Sequence, residues 1–503
     1  MNKIIFTLLI SFALLGSSCS KFLSVNEVNP NSASQVPAKL LLPAVLNNIA
    51  VSMNNPRNFD FVYLWHGLWS ISTGYSQPSS LVQYRLLNSS YSGLFSSSYT
   101  FGQNLVEIEK ATTDPKDAGY VAIAMIMKAY LLANIVDMWG NAPYSEAFKA
   151  NEGILKPKYD DQKVIYEDLV LKLDAAIKMI KALPATATEI PASSDIMFGG
   201  DMSLWAKFAN TLKLRMLVHQ SGMAGRDAYI KTAIATTAST GYLGAGEGAM
   251  VNPGYSNSSG KMNPFYETFY TVSGSSQSDG VSYYFAGKNA TDFMISTSDL
   301  RIGRFFLPVT GTTFAGNVLG VTTPAPLAAT ATSKLGYLSG STGVGYMIGT
   351  YDKSAPILTD FESLLIQAEA AERGYITGTG KDLYQAGITQ SYIYMGLTAT
   401  DATNFYTGSL STVNYDLAPN KINLILDQKY VSLNGVAPLE IWTDYRRSGR
   451  PTFITFSEDA NKANPTPPVR LLYPQREISV NNDNVTAVGT INAFTSKIFW
   501  QNR

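Results

Sequence analysis

The chain has 503 residues, 46% of them hydrophobic and 12% aromatic, enough apolar material for one large domain or two to three ordinary ones. Lys+Arg and Asp+Glu both number 38, and no basic run is present that would follow a phosphate backbone, which argues against nucleic-acid binding. Only 15% of residues are charged while Tyr numbers 29 and Gly 39, a chemistry of hydroxyls, amides and rings that suits neutral, hydroxyl-rich ligands.

Met1-Asn2-Lys3 supplies a positive start, 4–15 is apolar or small, and Gly16-Ser17-Ser18 is a small-residue cleavage site. This pattern predicts an export signal over 1–18, too short to span a bilayer permanently. The only cysteine, Cys19, follows directly, so no internal disulfide can form and lipid attachment is the simplest role for the thiol. Leu15-Gly16-Ser17-Ser18-Cys19 resembles a bacterial lipoprotein signal, with the leucine one place further from the cysteine than usual. Each buried CH₂ of an acyl chain contributes roughly 0.8 kcal/mol, so two or more chains hold a protein on a membrane without a spanning helix. The Asn-, Ser- and Pro-rich stretch that follows predicts a lipidated tether over 19–38.

Apolar residues at spacings of three and four predict helices over 40–53, 105–111, 118–139, 164–183 and 201–222. Within 118–139 the apolar run is interrupted by Lys128 and contains several alanines, which fits a buried helix better than a membrane span. The similar lengths, with Pro or Gly between, suggest helix pairs stacked like tetratricopeptide repeats. Composition changes over 236–355 to Gly, Ser, Thr, Asn and Tyr, predicting a loop-rich insertion of the kind that often carries binding function. Helical patterning returns over 357–373, 383–395, 422–433 and 438–446, and from 451 the chain reads as extended.

Reactive motifs are sparse. His66 and His219 are the only histidines, neither has a metal-ligand neighbour, and no GxSxG elbow is present; for His66 packing or ligand contact is the expected role. Gly378-Thr379-Gly380-Lys381-Asp382 departs from a phosphate loop, with Tyr375 at the first glycine position and Asp382 where Ser or Thr should hold magnesium. The alternating Gly244, Gly246 and Gly248 lack dinucleotide spacing. No cofactor and no metal follow from these residues. Glycoside hydrolysis needs only two facing carboxylates, so a lipid-anchored hydrolase stays open as the alternative of a different class.

Several segments carry a resemblance. They are Leu41-Leu42-Pro43-Ala44-Val45; Ala133-Asn134-Ile135-Val136-Asp137-Met138-Trp139-Gly140-Asn141-Ala142-Pro143-Tyr144; Tyr166-Glu167-Asp168-Leu169; and Trp205-Ala206-Lys207-Phe208-Ala209-Asn210 with Leu212-Lys213-Leu214-Arg215. Further on come Glu362-Ser363-Leu364-Leu365-Ile366-Gln367-Ala368-Glu369-Ala370-Ala371, Trp442-Thr443-Asp444-Tyr445-Arg446-Arg447-Ser448-Gly449, Arg470-Leu471-Leu472-Tyr473-Pro474 with Glu477, and Lys497-Ile498-Phe499-Trp500. In combination and order they resemble the SusD/RagB family of nutrient-binding surface lipoproteins, closest to its SusD-like branch. The resemblance implies a mainly α fold over 39–503, with tetratricopeptide-like helix pairs over 39–235 and 356–450, the insertion 236–355 presenting the ligand site, and an extended segment 451–503. It implies binding without catalysis, a SusC-like TonB-dependent transporter as partner, and a glycan or oligosaccharide as ligand, or peptides as the alternative within the fold. It also implies an outer-membrane location facing the cell exterior. Ser20-Lys21-Phe22-Leu23 lacks the acidic export cue often found after the cysteine, so outward placement rests on the resemblance alone.

A sugar binder needs rings that stack on C–H faces and polar groups that bond hydroxyls. Trp139, Trp205, Trp442 and Trp500 lie in the family-like blocks and are expected in the core, with Asp444 and Arg446 or Arg447 as a structural ion pair. The candidate site combines Trp65, Trp69, Tyr75 and Tyr84 with Tyr266, Tyr270, Tyr283 and Tyr284, and Gln83, Arg85 and Asn88 as polar partners. The competing reading of Trp65 and Trp69 is one core-facing helical stripe, whereas of the adjacent Tyr283 and Tyr284 at least one should reach solvent.

Overall fold

The computed structural model describes residues 36–277, 279–336 and 346–502, so the expected signal peptide, Cys19 and nearly all of the tether lie outside the described residues. The first helix, α1 (Ala38–Asn54), buries Leu42, Val45, Leu46, Ile49 and Ala50 along one face. It leads through α2 (Asp60–Trp65) and β1 (Trp69–Ile71) to α3 (Ser92–Ala111) and α4 (Ala118–Trp139). Helix α3 starts well before the periodicity that predicts it at 105–111. Its first half is rich in Ser, Gly and Thr, and small size is what packing requires there: a Cβ on Gly102 would meet the Phe148 ring at 2.5 Å.

Helix α4 is long and apolar enough to cross a membrane, but most of it is buried inside the protein and Lys128 pairs with Glu109 at 2.6 Å. It packs between α3 and the next helix, α5 (Gln162–Lys181), which follows the short strands β2 (Ala142–Pro143) and β3 (Tyr159–Asp160). Asp161 caps α5 by accepting the N–H groups of Lys163 and Val164, while Lys178 and Lys181 in its last turn complement the helix dipole. The stripe Ile165, Leu169, Leu173, Ile177 and Ile180 is buried as its spacing predicts, and each such side chain contributes roughly 1.5–3 kcal/mol. Helix α6 (Met202–His219), capped by Asp201, packs on α5, and α7 (Asp227–Ala235) packs on α6.

The stretch predicted to be loop-rich carries β4 (Ala249–Val251), α8 (Pro264–Phe269), β5 (Tyr284–Ala286) and α9 (Lys288–Ser296), all short. After β6 (Ala355–Leu358), helices α10 (Asp360–Glu372), α11 (Gly380–Tyr394) and α12 (Ala399–Tyr406) pack in series, and α13 (Lys421–Ser432) and α14 (Pro438–Ser448) follow. Thr379, from the phosphate-loop-like segment, serves as the N-cap of α11. Helix α10 packs on α6 and so joins the two helical runs. Among the described residues β1 pairs with β5, β2 with β3 and β4 with β6, each antiparallel, with isolated bridges besides.

The helices meet around a buried ionic network. Arg447 reaches Glu369 with both terminal nitrogens, at 2.7 and 2.6 Å, and Asp444 at 2.5 Å. Lys429 bridges Glu440 at 2.5 Å and Asp444 at 3.0 Å, and Glu440 continues to His219 at 2.9 Å. The Tyr166 hydroxyl and the Trp500 indole N–H both donate to Asp137, and Arg215 pairs with Glu362 at 3.2 Å. Arg446 lies over the Trp442 ring, 3.7 Å from its centroid, and donates to the Asp137 carbonyl. The expected partner of Asp444 is therefore Arg447, not Arg446.

Burial raises the pKa of Glu369, but Arg447, Arg373 and Lys429 outweigh it and hold the carboxyl at about 2. Its folded pKa lies below the ordinary value, so its contribution is present above about pH 4.5 and is lost as pH falls toward 2. Glu369→Gln is expected to lower unfolding free energy by roughly 3 kcal/mol at pH 7. Urea denaturation at a series of pH values should show that gap shrinking between about pH 5 and pH 2.

Candidate functional site

Alternation along β5 sends its two rings to opposite faces of the β1–β5 pair. Trp69 faces Ala286, Ser70 faces Phe285 and Ile71 faces Tyr284 across the β1–β5 pair. Successive side chains point to opposite faces, so Tyr284 and Phe285 cannot share one. Tyr284 turns inward and donates to Asp60 at 2.8 Å, beside the Tyr91 hydroxyl on the same carboxylate at 2.7 Å. Burial raises the Asp60 pKa.

The outer side of this pair forms one wall of a cleft of about 600 Å³. Ser72, Gly74 and Tyr75 come from the turn after β1, and Ser282 and Phe285 from around β5. Leu307, Pro308 and Val309 supply an apolar strip, and Thr330, Thr332 and Lys334 add polar groups, Lys334 next to Phe285 through an antiparallel bridge. Backbone bonds tie these pieces together: Ala286 N–H donates to Ser333 at 2.8 Å, Leu307 N–H to Lys334 at 2.9 Å, and Ser72 N–H to Tyr283 at 2.9 Å. Tyr75, which lines the cleft, meets the Tyr283 ring behind it edge to face at 5.2 Å, and the Tyr75 hydroxyl bonds the Ser282 hydroxyl at 2.7 Å. Both tyrosines are half-buried.

Tyr75 and Tyr283, one ring from each expected group, are in contact, and burial sets several other candidates apart. Trp65 is 0% exposed; its indole donates to the Leu81 carbonyl and its ring lies against Phe61, Tyr84 and Trp442. Trp69 is also 0% exposed, donating to Asn434 and stacked on Tyr63 at 4.0 Å. Both are core residues, yet not one helical stripe, because α2 ends at Trp65 and Trp69 opens β1. Tyr84 is buried with its hydroxyl accepting from Ser457 N–H, and Tyr284 and Tyr270 are buried as well. A ring without solvent access has no face to offer a ligand. Tyr266 is half-buried and stacks on Tyr270 at 5.2 Å, away from the cleft lining. Asn88 donates to the Tyr473 carbonyl, Arg85 to that of Asn461, and the Gln83 carbonyl accepts from Ala463 N–H, so these three hold the C-terminal segment.

Sequence reasoning missed Ser72, Ser282, Phe285 and Lys334. One signal for Lys334 was available: it is the only charged residue between Arg304 and Asp352. His66 is fully buried, its Nδ1 2.9 Å from the Val62 carbonyl, and burial lowers its pKa to about 4. It is a neutral core residue. No group of three or more His, Cys, Asp or Glu suited to a metal occurs among the described residues.

Residues 30–474 match a family model described as SusD-like, starch-binding associating with outer membrane. The chain belongs to the SusD-like family. A SusD homolog from Bacteroides fragilis is similar with a TM-score of 0.75 at 20% identity, covering 93% of this chain and 100% of its own. A SusD-like protein from Bacteroides thetaiotaomicron gives a TM-score of 0.70 at 21% identity over 90% of this chain and 95% of its own. A chitin-binding SusD homolog from Flavobacterium johnsoniae gives 0.72 at 20% identity over 92% and 99%. At these identities the likeness concerns the fold. No curated protein matches the sequence.

The burial of the aromatic candidates separates their roles by stability. Trp69→Ala should lower unfolding free energy by about 3–5 kcal/mol, the usual range for an emptied aromatic core site. Tyr75→Ala, at a half-buried rim position, should cost less than about 1.5 kcal/mol, both read from urea denaturation midpoints.

Proposed function

We propose that this protein is a lipid-anchored binding protein of the outer membrane that captures a glycan in the Tyr75–Tyr283 cleft and passes it to a SusC-like TonB-dependent transporter. The observation that carries the reading is a cleft lined by hydroxyl groups and by Tyr75, a half-buried ring in edge-to-face contact with Tyr283. Rings of this kind stack on the C–H face of a sugar while Ser72, Ser282, Thr330 and Thr332 bond its hydroxyls. A cleft of about 600 Å³ falls within the size range of small-ligand sites. The family match and the chitin-binding relative support an oligosaccharide ligand.

Binding is favoured over hydrolysis because glycosidases need two carboxyl groups flanking the scissile bond, and no acid lines this cleft among the described residues. Each aromatic contact contributes about 0.5–1.5 kcal/mol beyond burial. The doubly substituted Tyr75→Ala/Tyr283→Ala protein should therefore lose roughly tenfold or more in affinity for a retained polysaccharide. Affinity electrophoresis across a glycan library tests this; unchanged retention by the double variant would place the ligand elsewhere, and copurifying peptides would turn the reading to a peptide binder.

Anchoring follows from Cys19 at the end of the export signal. Expressed without the transporter, Cys19→Ala is expected to move the protein from the membrane pellet to the soluble fraction, because the acyl chains are then its only proposed hold on the membrane. Sedimentation with the membrane unchanged by the substitution would remove the acyl anchor.

A further inference from the structure

Resting on the glycan-binding reading of the cleft, we infer that its ligand is an acidic glycan, one whose carboxylate or sulfate is received by Lys334. The stretch from Arg304 to Asp352 is almost free of charge, and the single charged residue inside it, Lys334, lines the cleft. Lys334 is exposed, and no described residue lining the cleft is acidic.

The backbone that carries the amine is held in place by the fold. Lys334 pairs in an antiparallel bridge with Phe285, and Leu335 bridges Phe306, so 333–335 extends the β1–β5 pair by one more strand-like segment. Its neighbours Ser333 and Leu335 are 0% exposed. Alternation then turns Lys334 to the opposite face, the one it shares with Phe285 on the cleft wall. A cation carried on a paired backbone segment is positioned more reproducibly than one on a free loop, as a recognition element needs to be.

An amine among hydroxyls and rings, with no acid to neutralise it, favours an anionic group over a neutral one. For two unit charges about 4 Å apart near a protein surface the attraction is large enough to shift affinity by roughly tenfold, and salt screens it. The Tyr75 ring and the Ser72, Ser282 and Thr330 hydroxyls would take the sugar ring itself, leaving the acid group to the amine.

The test uses the full chain in detergent and polysaccharides that differ in charge. De-esterified homogalacturonan is compared with the same polymer fully methyl-esterified, and alginate and chondroitin sulfate with starch and chitin. Wild type should bind at least one acidic polymer roughly tenfold more tightly than the neutral ones in low salt. The preference should fall in 0.5 M NaCl, disappear in Lys334→Gln and persist in Lys334→Arg, with thermal stability unchanged in both variants. Retention on a neutral glycan, equal in wild type and Lys334→Gln, would overturn the acidic ligand and leave glycan binding standing. An acid preference that survives Lys334→Gln would overturn the role of this residue. Retention on no polysaccharide at all would overturn the glycan reading itself and this inference with it.

Discussion

Arg447 is only 2% exposed at its side chain, and it is held between Glu369 on α10 and Asp444 on its own helix. A guanidinium so placed has surrendered its hydration and is tolerable only with carboxylates in bidentate reach. The same holds for Lys429 between Glu440 and Asp444. Each ion makes its neighbour's burial possible, so α4, α6, α10, α13 and α14 have to meet in one arrangement. Buried ion pairs are poor sources of net stability against an apolar replacement, but a helix shifted by one turn would strand an unpaired charge. In this fold the network acts as a register device.

The residues of the network are also the residues of the recognisable sequence blocks. Asp137, Arg215, Glu369, Asp444 with Arg447, and Trp500 come from five of those separate segments, and all converge in space. This explains why the fold and family were legible from sequence at low overall identity while the ligand was not. The conserved-looking text encodes the frame, and the frame reaches the cleft only indirectly. Trp442 on α14 packs edge-on against Phe61 and Trp65 of α2, and α2 runs into β1, which pairs with β5 along the cleft wall.

Periodicity located α5 and α4 because their buried faces are made of Ile, Leu, Val and Ala. It missed the first half of α3, where Gly102 and its serine neighbours pack through small size. It also missed the short helices α2, α9 and α12, whose few turns offer too little repetition to register. Aromatic residues misled for a related reason. All six tryptophans are buried, and a ring with an N–H or O–H can enter the core whenever one acceptor is available, as Leu81 serves Trp65 and Asn434 serves Trp69. Clustering of rings along the chain therefore measures core-building as much as ligand contact. Only the strand pairing shows that Tyr284 turns to Asp60 while Phe285, on the other face, lines the cleft.

The character of the cleft fits handover better than storage. It offers one half-buried tyrosine, Tyr75, backed edge to face by Tyr283, where a deep tryptophan cage would bury a ligand on several sides. Shallow contacts worth about a kcal/mol each accumulate only when several sugar units engage, and they are released one at a time. Affinity differences between related complexes reside mainly in dissociation rates, so weak repeated contacts give short residence at each unit. The delivery to a transporter proposed above would gain from such a surface, because the next site in line has little binding energy to overcome.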